Sequence, residues 1–212
     1  QGQEIGQFVI YQENTLVTFI LSPTYGDISQ EIFAQVLKFE RVTEALLPTG
    51  DEFFLSHVID RYREMSVQAY FSLYTPEPPV GVAEFPPVVL KEAVRPEHQK
   101  EILLAGEFFQ PKIKKQDQGM KELTLYLAYL EEQLVGFGNI EFSRLTSFAS
   151  TGMMVLPSFR KQGIAKSILY HLNQKVIQEN RVPISGCWYY NHNSKKTMEA
   201  AGGYSPTRLL RF

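Results

Sequence analysis

A cluster of prolines divides the sequence and limits what can fold across it. Five of the twelve prolines lie between residues 76 and 87: Pro76, Pro78, Pro79, Pro86 and Pro87. Proline lacks the backbone N–H group and biases the residue before it toward extended conformations, so neither a helix nor a central strand is expected to cross this stretch. The cluster therefore predicts a boundary between two domains, residues 1–87 and residues 88–212.

The sign of the net charge changes at the same boundary. The whole chain has 21 basic and 23 acidic side chains and a net charge of −2. Residues 1–87 contain four basic and twelve acidic side chains, which gives −8, and residues 88–212 contain the remainder, which gives +6. This asymmetry favours an anionic ligand for the second part and a cationic partner for the first, although two lobes that attract each other would show the same pattern.

The composition excludes several classes of protein. The 13% aromatic content argues against a disordered chain, and no apolar run is long enough to span a bilayer. Cys187 is the only cysteine, so no intramolecular disulfide can form, and the four histidines lack metal-ligand spacing. We therefore expect a cytoplasmic protein without a metal and without a membrane or nucleic-acid partner. The sequence leaves open whether the protein forms a homodimer.

Residues 1–87 are predicted to form an acidic α/β lobe. Phe8–Leu21 has the composition of a strand. Apolar residues at helical spacing predict a helix from about Ser29 to Leu47, and a shorter helix is expected from about Asp51 to Glu64. Val67–Tyr74 alternates like a strand. This lobe contains no motif with catalytic or metal-binding spacing.

Residues 88–212 are predicted to form a mixed α/β (α+β) domain whose helices cover a central sheet. A helix is expected to open at Arg95-Pro96-Glu97, and Gly106–Met120 reads as irregular and basic. Two further helices are predicted, Gly163–Gln178 and Ser194–Ala201. The predicted strands are Val88–Ala93, the hairpin pair Leu123–Leu130 and Leu134–Phe142, Ser147–Leu156, Ile184–Tyr190 and a last strand that ends at Phe212.

Residues 154–166 contain the segment that predicts a ligand site. A strand ends at a proline, a short loop brings Arg160 and Lys161 together, and Gly163 opens a long amphipathic helix. The first amides of a helix have no intrahelical acceptor, and the helix dipole favours an anion beside them. Glycine lets a phosphate approach the backbone, and Lys166 adds a cation. The segment thus predicts an anion site, although a solvated basic turn would have the same sequence.

This segment is neither a P-loop nor a dinucleotide fingerprint, because it lacks the Gly-Lys-Ser/Thr ending of the first and two of the three glycines of the second. It resembles the acetyl-CoA motif of the GNAT superfamily of N-acetyltransferases, whose pattern is Arg/Gln-x-x-Gly-x-Gly/Ala. The matching residues are Arg160-x-x-Gly163-x-Ala165, after a strand that ends in Val155-x-Pro157.

A second motif downstream resembles the same family. Asn191-x-x-Ser194 follows a predicted strand and precedes a helix that ends at Gly202, shortly before an aromatic residue. The resemblance covers roughly residues 88–212 and implies a GNAT-like mixed central sheet flanked by helices. It leaves open whether residues 1–87 are a degenerate half of the same fold or an unrelated lobe.

The family's pattern implies a set of contacts with acetyl-CoA. It would pair the main chain of Met154 and Val155 with the pantetheine arm, and Asn191 would hydrogen-bond that arm with Ser194 beside it. The residues implied around the pyrophosphate are Arg160, Lys161, Gln162, Gly163, Ile164, Ala165 and Lys166.

Acetyl transfer to an amine needs a base for the amine and an acid for the leaving thiolate. Glu141, near the end of a predicted strand, is the predicted base, and a solvent-facing strand residue is the alternative interpretation. The family often has a tyrosine seven residues after the motif asparagine as the acid, but this chain has Met198 there. Tyr204 is the predicted replacement, with Tyr189 and Tyr190 as alternatives.

We therefore expect an N-acetyltransferase that transfers an acetyl group from acetyl-CoA to a primary amine of a small or amino-acid-like molecule by direct attack. Two other functions fit the sequence. The absent tyrosine would suit a CoA-binding sensor or a non-catalytic homologue, and the acidic lobe would suit an interaction module with a basic partner.

Overall fold

The computed structural model describes residues 2–39, 42–94, 97–108, 122–144 and 146–212. Within these residues the chain forms ten β-strands and five α-helices. The predicted fold class, mixed α/β with a mixed sheet flanked by helices, is confirmed.

The chain divides into two compact units, each of which is assembled from separate stretches of sequence. The first contains Gln1–Phe71, Trp188–Tyr190 and Thr207–Phe212. The second contains Ser72–Cys187 and Asn191–Pro206. The first division therefore falls after Phe71, ahead of the proline cluster.

The first unit combines a small sheet with two helices. Its elements are β1 (Gly6–Tyr11), β2 (Thr15–Leu21), α1 (Ser29–Val36), β3 (Glu44–Pro48), α2 (Glu52–Ile59), the first part of β4 (Ser66–Tyr74) and the last part of β10 (Gly203–Arg211). Strands β1 and β2 pair antiparallel, β2 and β3 pair parallel, and β3 pairs antiparallel with β10. Apolar side chains of both helices, β2 and β3 form one core.

The single strand predicted at Phe8–Leu21 is wrong, because the chain reverses within it. Gln12 and Glu13 have φ values of 49° and 71°, and they connect β1 to β2 as a hairpin. The connection has three residues, Gln12 to Asn14, and left-handed backbone at two of them reverses the chain tightly. Glutamine and glutamate are unusual there, and the turn therefore lacked its common sequence signature.

The predicted helix Ser29–Leu47 is also wrong in its second half. Helix α1 ends at Val36, and the later residues include β3, in which Ala45 and Leu47 are buried at alternate positions. Burial at every second residue is the period of a strand, and pairing on both sides of β3 overrides any local helical preference. The helix expected from Asp51 to Glu64 is present as the shorter α2.

The second unit contains the larger sheet. Its further elements are β5 (Val89–Glu92), α3 (Gln99–Leu104), β6 (Glu122–Leu130), β7 (Gln133–Phe142), β8 (Phe148–Val155), α4 (Ile164–Gln178), β9 (Val182–Trp188) and α5 (His192–Ala200). Strands β5 to β8 form an antiparallel array, and β8 pairs parallel with β9.

The helices pack on this sheet through buried apolar side chains. Ile164, Ile168, Leu172 and Val176 repeat at the spacing of one face of α4 and join a cluster that also contains residues of β7 and β8. Ile102 of α3 belongs to a different cluster, with residues of β6 and β7. Strand β7 therefore contributes side chains to two cores, and this fixes its position within the sheet.

The elements predicted for residues 88–212 are confirmed where the structure describes them, with small shifts. The strand expected at Ile184–Tyr190 is β9, which starts and ends earlier, so Tyr189 and Tyr190 follow it. Residues 106–108 form a short 3₁₀ helix. Arg95, Pro96 and the rest of the predicted basic segment lie outside the described residues.

Candidate functional site

The site is built where β8 and β9 part. Their register among the described residues runs from Phe148 opposite Val182 to Ser150 opposite Ile184. Beyond Ser150, β8 continues to Val155 and stays paired with β7 on its other edge. The edge of β8 that faces β9 therefore keeps main-chain donors and acceptors that no β9 residue takes up, and such groups need partners when they are covered.

A tight loop connects the end of β8 to the start of α4. Arg160 Nε donates to the Val155 carbonyl oxygen at 3.1 Å, so the side chain folds back on the strand from which the loop departs. Lys161 has φ 63° and Gly163 has φ 78°, both in the left-handed region. This geometry turns the chain within a few residues between the end of β8 and the start of α4.

The first turn of α4 has no side-chain cap. Gly163 is the N-cap residue, and it has no side chain that could accept from the following amides. Gly163 instead offers its carbonyl oxygen to the Ser167 N–H at 3.3 Å. The N–H groups of Ile164, Ala165 and Lys166 precede the first intrahelical bond, so they can bind an anion.

The cations around this helix end differ in their surroundings. Lys161 is exposed, whereas Lys166 Nζ lies 4.3 Å from the centroid of the Phe85 ring. A Cβ at Gly163 would lie 3.2 Å from Lys166 Cε and 3.5 Å from Pro86 Cδ, so the space beside the helix end is narrow. The end of the proline cluster thus forms one wall of the predicted pyrophosphate loop.

The second predicted motif lies at the start of α5. Asn191 Oδ1 accepts from the Ser194 N–H at 3.1 Å and caps the helix. This cap uses the oxygen of the side chain and leaves its Nδ2 as the donor that could reach a ligand. Helix α5 contacts α4, so the two motifs start neighbouring helices of one unit.

The predicted base lies one strand away from the opening. Glu141 of β7 is opposite Ser150, the last residue of β8 that is in register with β9. Asn139 Nδ2 lies 3.4 Å from Glu141 Oε1, and the Asn139 side chain is fully buried. The main chain of Glu141 therefore lies one strand away from the last paired residue of β8 and β9.

The predicted acids differ in exposure and in the unit to which they belong. Tyr204 is 51% exposed on β10, and Tyr189 and Tyr190 belong to the first unit. Met198 is 2% exposed, and its side chain is part of the interior. Burial raises the pKa of the Cys187 thiol, and this keeps that thiol protonated and weakly nucleophilic.

A cluster of buried polar side chains was missed by the sequence analysis. Thr151 of β8, Asn173 of α4 and Ser185 of β9 bond to one another, and Tyr74 lies beside them. One signal was present: an asparagine among apolar residues on the buried face of a helix is uncommon unless it is paired.

The described residues contain no group of three or more histidine, cysteine, aspartate or glutamate side chains that could hold a metal ion. None of the described helices is both long and apolar enough to cross a membrane.

Comparisons with known proteins place this geometry in a family. Two family models, each described as an acetyltransferase (GNAT) domain, match residues 1–75 and residues 121–204. No curated protein matches the chain.

Several solved structures share the fold at low sequence identity. An acetyltransferase of the GNAT family from Colwellia psychrerythraea is 18% identical, with a TM-score of 0.83 over 99% of this chain and 81% of that one. A tandem GNAT protein from the clavulanic acid biosynthesis pathway is 12% identical, with a TM-score of 0.62 over 98% and 78%. A GCN5-related N-acetyltransferase from Sphaerobacter thermophilus is 12% identical, with a TM-score of 0.59 over 98% and 75%. Since both models describe the same kind of domain and together match most of the sequence, the chain belongs to the GNAT superfamily of acetyltransferases.

Proposed function

We propose that this protein transfers an acetyl group from acetyl-CoA to a primary amine of a small or amino-acid-like molecule. The observation that carries the proposal is the end of β8–β9 pairing at Ser150, together with the uncapped start of α4, the helix that follows β8. An open strand edge suits the amide groups of a pantetheine arm, and free helix amides suit a pyrophosphate. The two features belong to consecutive elements of the second unit.

The residues fit acetyl-CoA as a ligand. The main chain of Met154 and Val155 would pair with the arm, and Asn191 Nδ2 would donate to it. Residues 160–166 would hold the pyrophosphate through the amides after Gly163 and the charge of Lys161. When bound, acetyl-CoA supplies an acetyl thioester, which is activated toward amines.

Glu141 would act as the base in this reaction. An amine must lose a proton as it attacks, and a carboxylate at the start of the gap can accept that proton directly or through a water molecule. The strand-edge N–H groups of β8 would donate to the carbonyl oxygen on which charge develops. The positive charge of residues 88–212 favours the anionic ligand over a neutral one.

Calorimetry with acetyl-CoA, followed by an amine panel, tests this function. The protein should bind acetyl-CoA at one site and release free CoA when a suitable amine is added, and Glu141→Gln should lower kcat by about 100-fold without weakening acetyl-CoA binding. Absence of acetyl-CoA binding at millimolar ligand would contradict the proposal. Binding without turnover across primary amines would instead support a CoA-binding sensor.

A further inference from the structure

The buried polar cluster lies directly beyond the last main-chain pair of β8 and β9. Thr151 Oγ1 donates to Asn173 Oδ1 at 2.9 Å and lies 2.8 Å from Ser185 Oγ. Because the single Thr151 hydrogen is used on Asn173, Ser185 is the donor in the second bond. All three side chains are at most 4% exposed. The cluster therefore lines the gap on the side of α4.

Two polar atoms of this region have no hydrogen-bond partner. Tyr74 is 7% exposed, and Ser185 and Asn173 lie beside its hydroxyl group. In the described part of the chain, however, neither the Tyr74 hydroxyl nor Asn173 Nδ2 completes a hydrogen bond. Buried polar groups in native proteins nearly always have a partner. Asn173 Nδ2 is close enough to serve the Tyr74 oxygen as a donor, and the Tyr74 O–H then remains available to a group that arrives from outside.

The glycine after α5 leaves room for the Tyr74 ring. A Cβ at Gly203 would lie 2.9 Å from Tyr74 Cε1 and 2.7 Å from the Met198 carbonyl oxygen, both too close for a real side chain. The Tyr74 ring therefore lies beside the end of α5, the helix that contains Met198. The two departures from the family pattern, a methionine where a tyrosine is common and a second glycine, are explained together if the phenol comes from β4.

We propose that Tyr74 is the proton donor to the thiolate that leaves in acetyl transfer, and this rests on the proposed function. The amine nitrogen forms a bond to the acetyl carbon, and the bond from that carbon to sulfur breaks with its electron pair on sulfur. The Tyr74 hydroxyl gives its proton to the sulfur. The amine proton passes through Glu141 to solvent, and solvent returns one proton to Tyr74, so no proton is gained or lost overall.

The environment of Tyr74 suits a donor. Burial raises the pKa of the Tyr74 phenol to about 12, so the hydroxyl is protonated at neutral pH. The atom has almost no contact with solvent, and the sulfur reaches it by entering the gap between β8 and β9. Asn173 Nδ2 lies next to the oxygen and has no other partner, so it can donate to the transient tyrosinate.

The test compares Tyr74→Phe with the wild type in two measurements. Under the proposal kcat falls by about 100-fold, the range of general acid catalysis. Calorimetry at alkaline pH with CoA, and with desulfo-CoA that lacks the thiol, gives a readout independent of turnover. Affinity for CoA should fall by about 3- to 10-fold and affinity for desulfo-CoA should not change. A structural role for the hydroxyl would weaken both ligands equally, which would overturn the proposal.

Two further variants keep the test specific. Tyr126→Phe removes the hydroxyl of another partly buried tyrosine of the second unit, in β6, and should leave kcat unchanged. Gly203→Ala crowds the ring of Tyr74 without removing its hydroxyl and should lower kcat in the same direction as Tyr74→Phe. If the wild type is active and Tyr74→Phe is equally active, the role of Tyr74 is overturned and the proposed function stands. A wild type that neither binds nor uses acetyl-CoA would overturn the proposed function.

Discussion

Two strand-to-helix connections in this chain have the same order and different chemistry. In the first unit, β3 leads through a proline and a short turn into α2, and in the second, β8 leads through a proline and a longer loop into α4. Helix α2 starts at an aspartate cap: Asp51 Oδ1 accepts from the Phe54 N–H at 3.1 Å. Helix α4 starts at Gly163 with no side-chain cap. One helix start is capped by its own carboxylate, and the other has no side-chain cap.

The strands before these helices are paired in a similar way, so the two connections differ at the starts of their helices. Strand β3 pairs with β2 only at Glu44 and Ala45 on one edge, and Leu46 to Pro48 pair with β10 on the other. Strand β8 pairs with β9 only as far as Ser150, so its later residues keep an open edge. Both regions match GNAT domain models, and the start of the helix distinguishes their two connections: α2 is capped by Asp51, whereas α4 has no side-chain cap.

The largest expected effect comes from the loop glycine. Gly163→Val places a β-branched side chain at φ 78°, where L residues are strained, and narrows the space near Pro86. We expect acetyl-CoA affinity to fall by about 100-fold or more, because the phosphate can no longer approach the backbone amides. Isothermal titration calorimetry measures the acetyl-CoA affinity of the variant and of the wild type.

The matched control is the glycine of the other connection. At Gly50 the nearest atom to an added Cβ is Thr207 Oγ1 at 3.9 Å, an ordinary contact. Gly50→Val should therefore leave acetyl-CoA affinity unchanged. Equal loss of affinity in both variants would mean that the two connections are not distinct.

A smaller effect on acetyl-CoA affinity is expected from the two helix caps, the aspartate Asp51 and the asparagine Asn191. Asp51→Ala and Asn191→Ala each remove one N-cap bond, so each should lower the free energy of unfolding by about 1 kcal/mol in urea titrations. They should differ in ligand binding, since Asn191→Ala also removes a donor to the pantetheine arm. We expect a loss of about 3- to 10-fold in acetyl-CoA affinity for Asn191→Ala alone. The same loss in Asp51→Ala would contradict this assignment.

The smallest effect is expected from the exposed loop cation. Lys161→Gln should weaken acetyl-CoA binding by only about 2- to 5-fold at low salt, and the difference from the wild type should shrink as NaCl is raised, because exposed charges are screened. Arg63→Gln, an exposed arginine of the first unit, is the control and should not change affinity. A difference that persists in high salt would argue for a direct, desolvated contact of Lys161 instead.

The sequence predicted the second unit better than the first, and the reason is physical. Helix α4 has a regular apolar face and a glycine at its start, so local pattern and final structure agree. Strand β3 follows α1 closely and is held by pairing partners far away in the chain, which no local pattern reveals. The turn at Gln12 and Glu13 lacks the usual glycine or asparagine.

The same distinction applies to the candidate site. The loop from Arg160 to Lys166 is continuous in sequence, so its amides could be predicted from a motif. Tyr74 lies far from that loop in the chain, and it is next to Asn173 and Ser185 only because the folded sheet brings them together. A residue that reaches a site from a neighbouring strand has no spacing by which sequence could locate it.

Hydrogen–deuterium exchange with and without acetyl-CoA tests the central claim most directly, because it reports on both connections in one experiment. Ligand should slow exchange of the backbone amides in residues 151–155, which form the open strand edge, and in residues 162–166, which contain the uncapped helix start. Exchange in β3 and the first turn of α2 should not change. Protection of β3 and α2, or no protection at residues 162–166 under saturating ligand, would contradict the account.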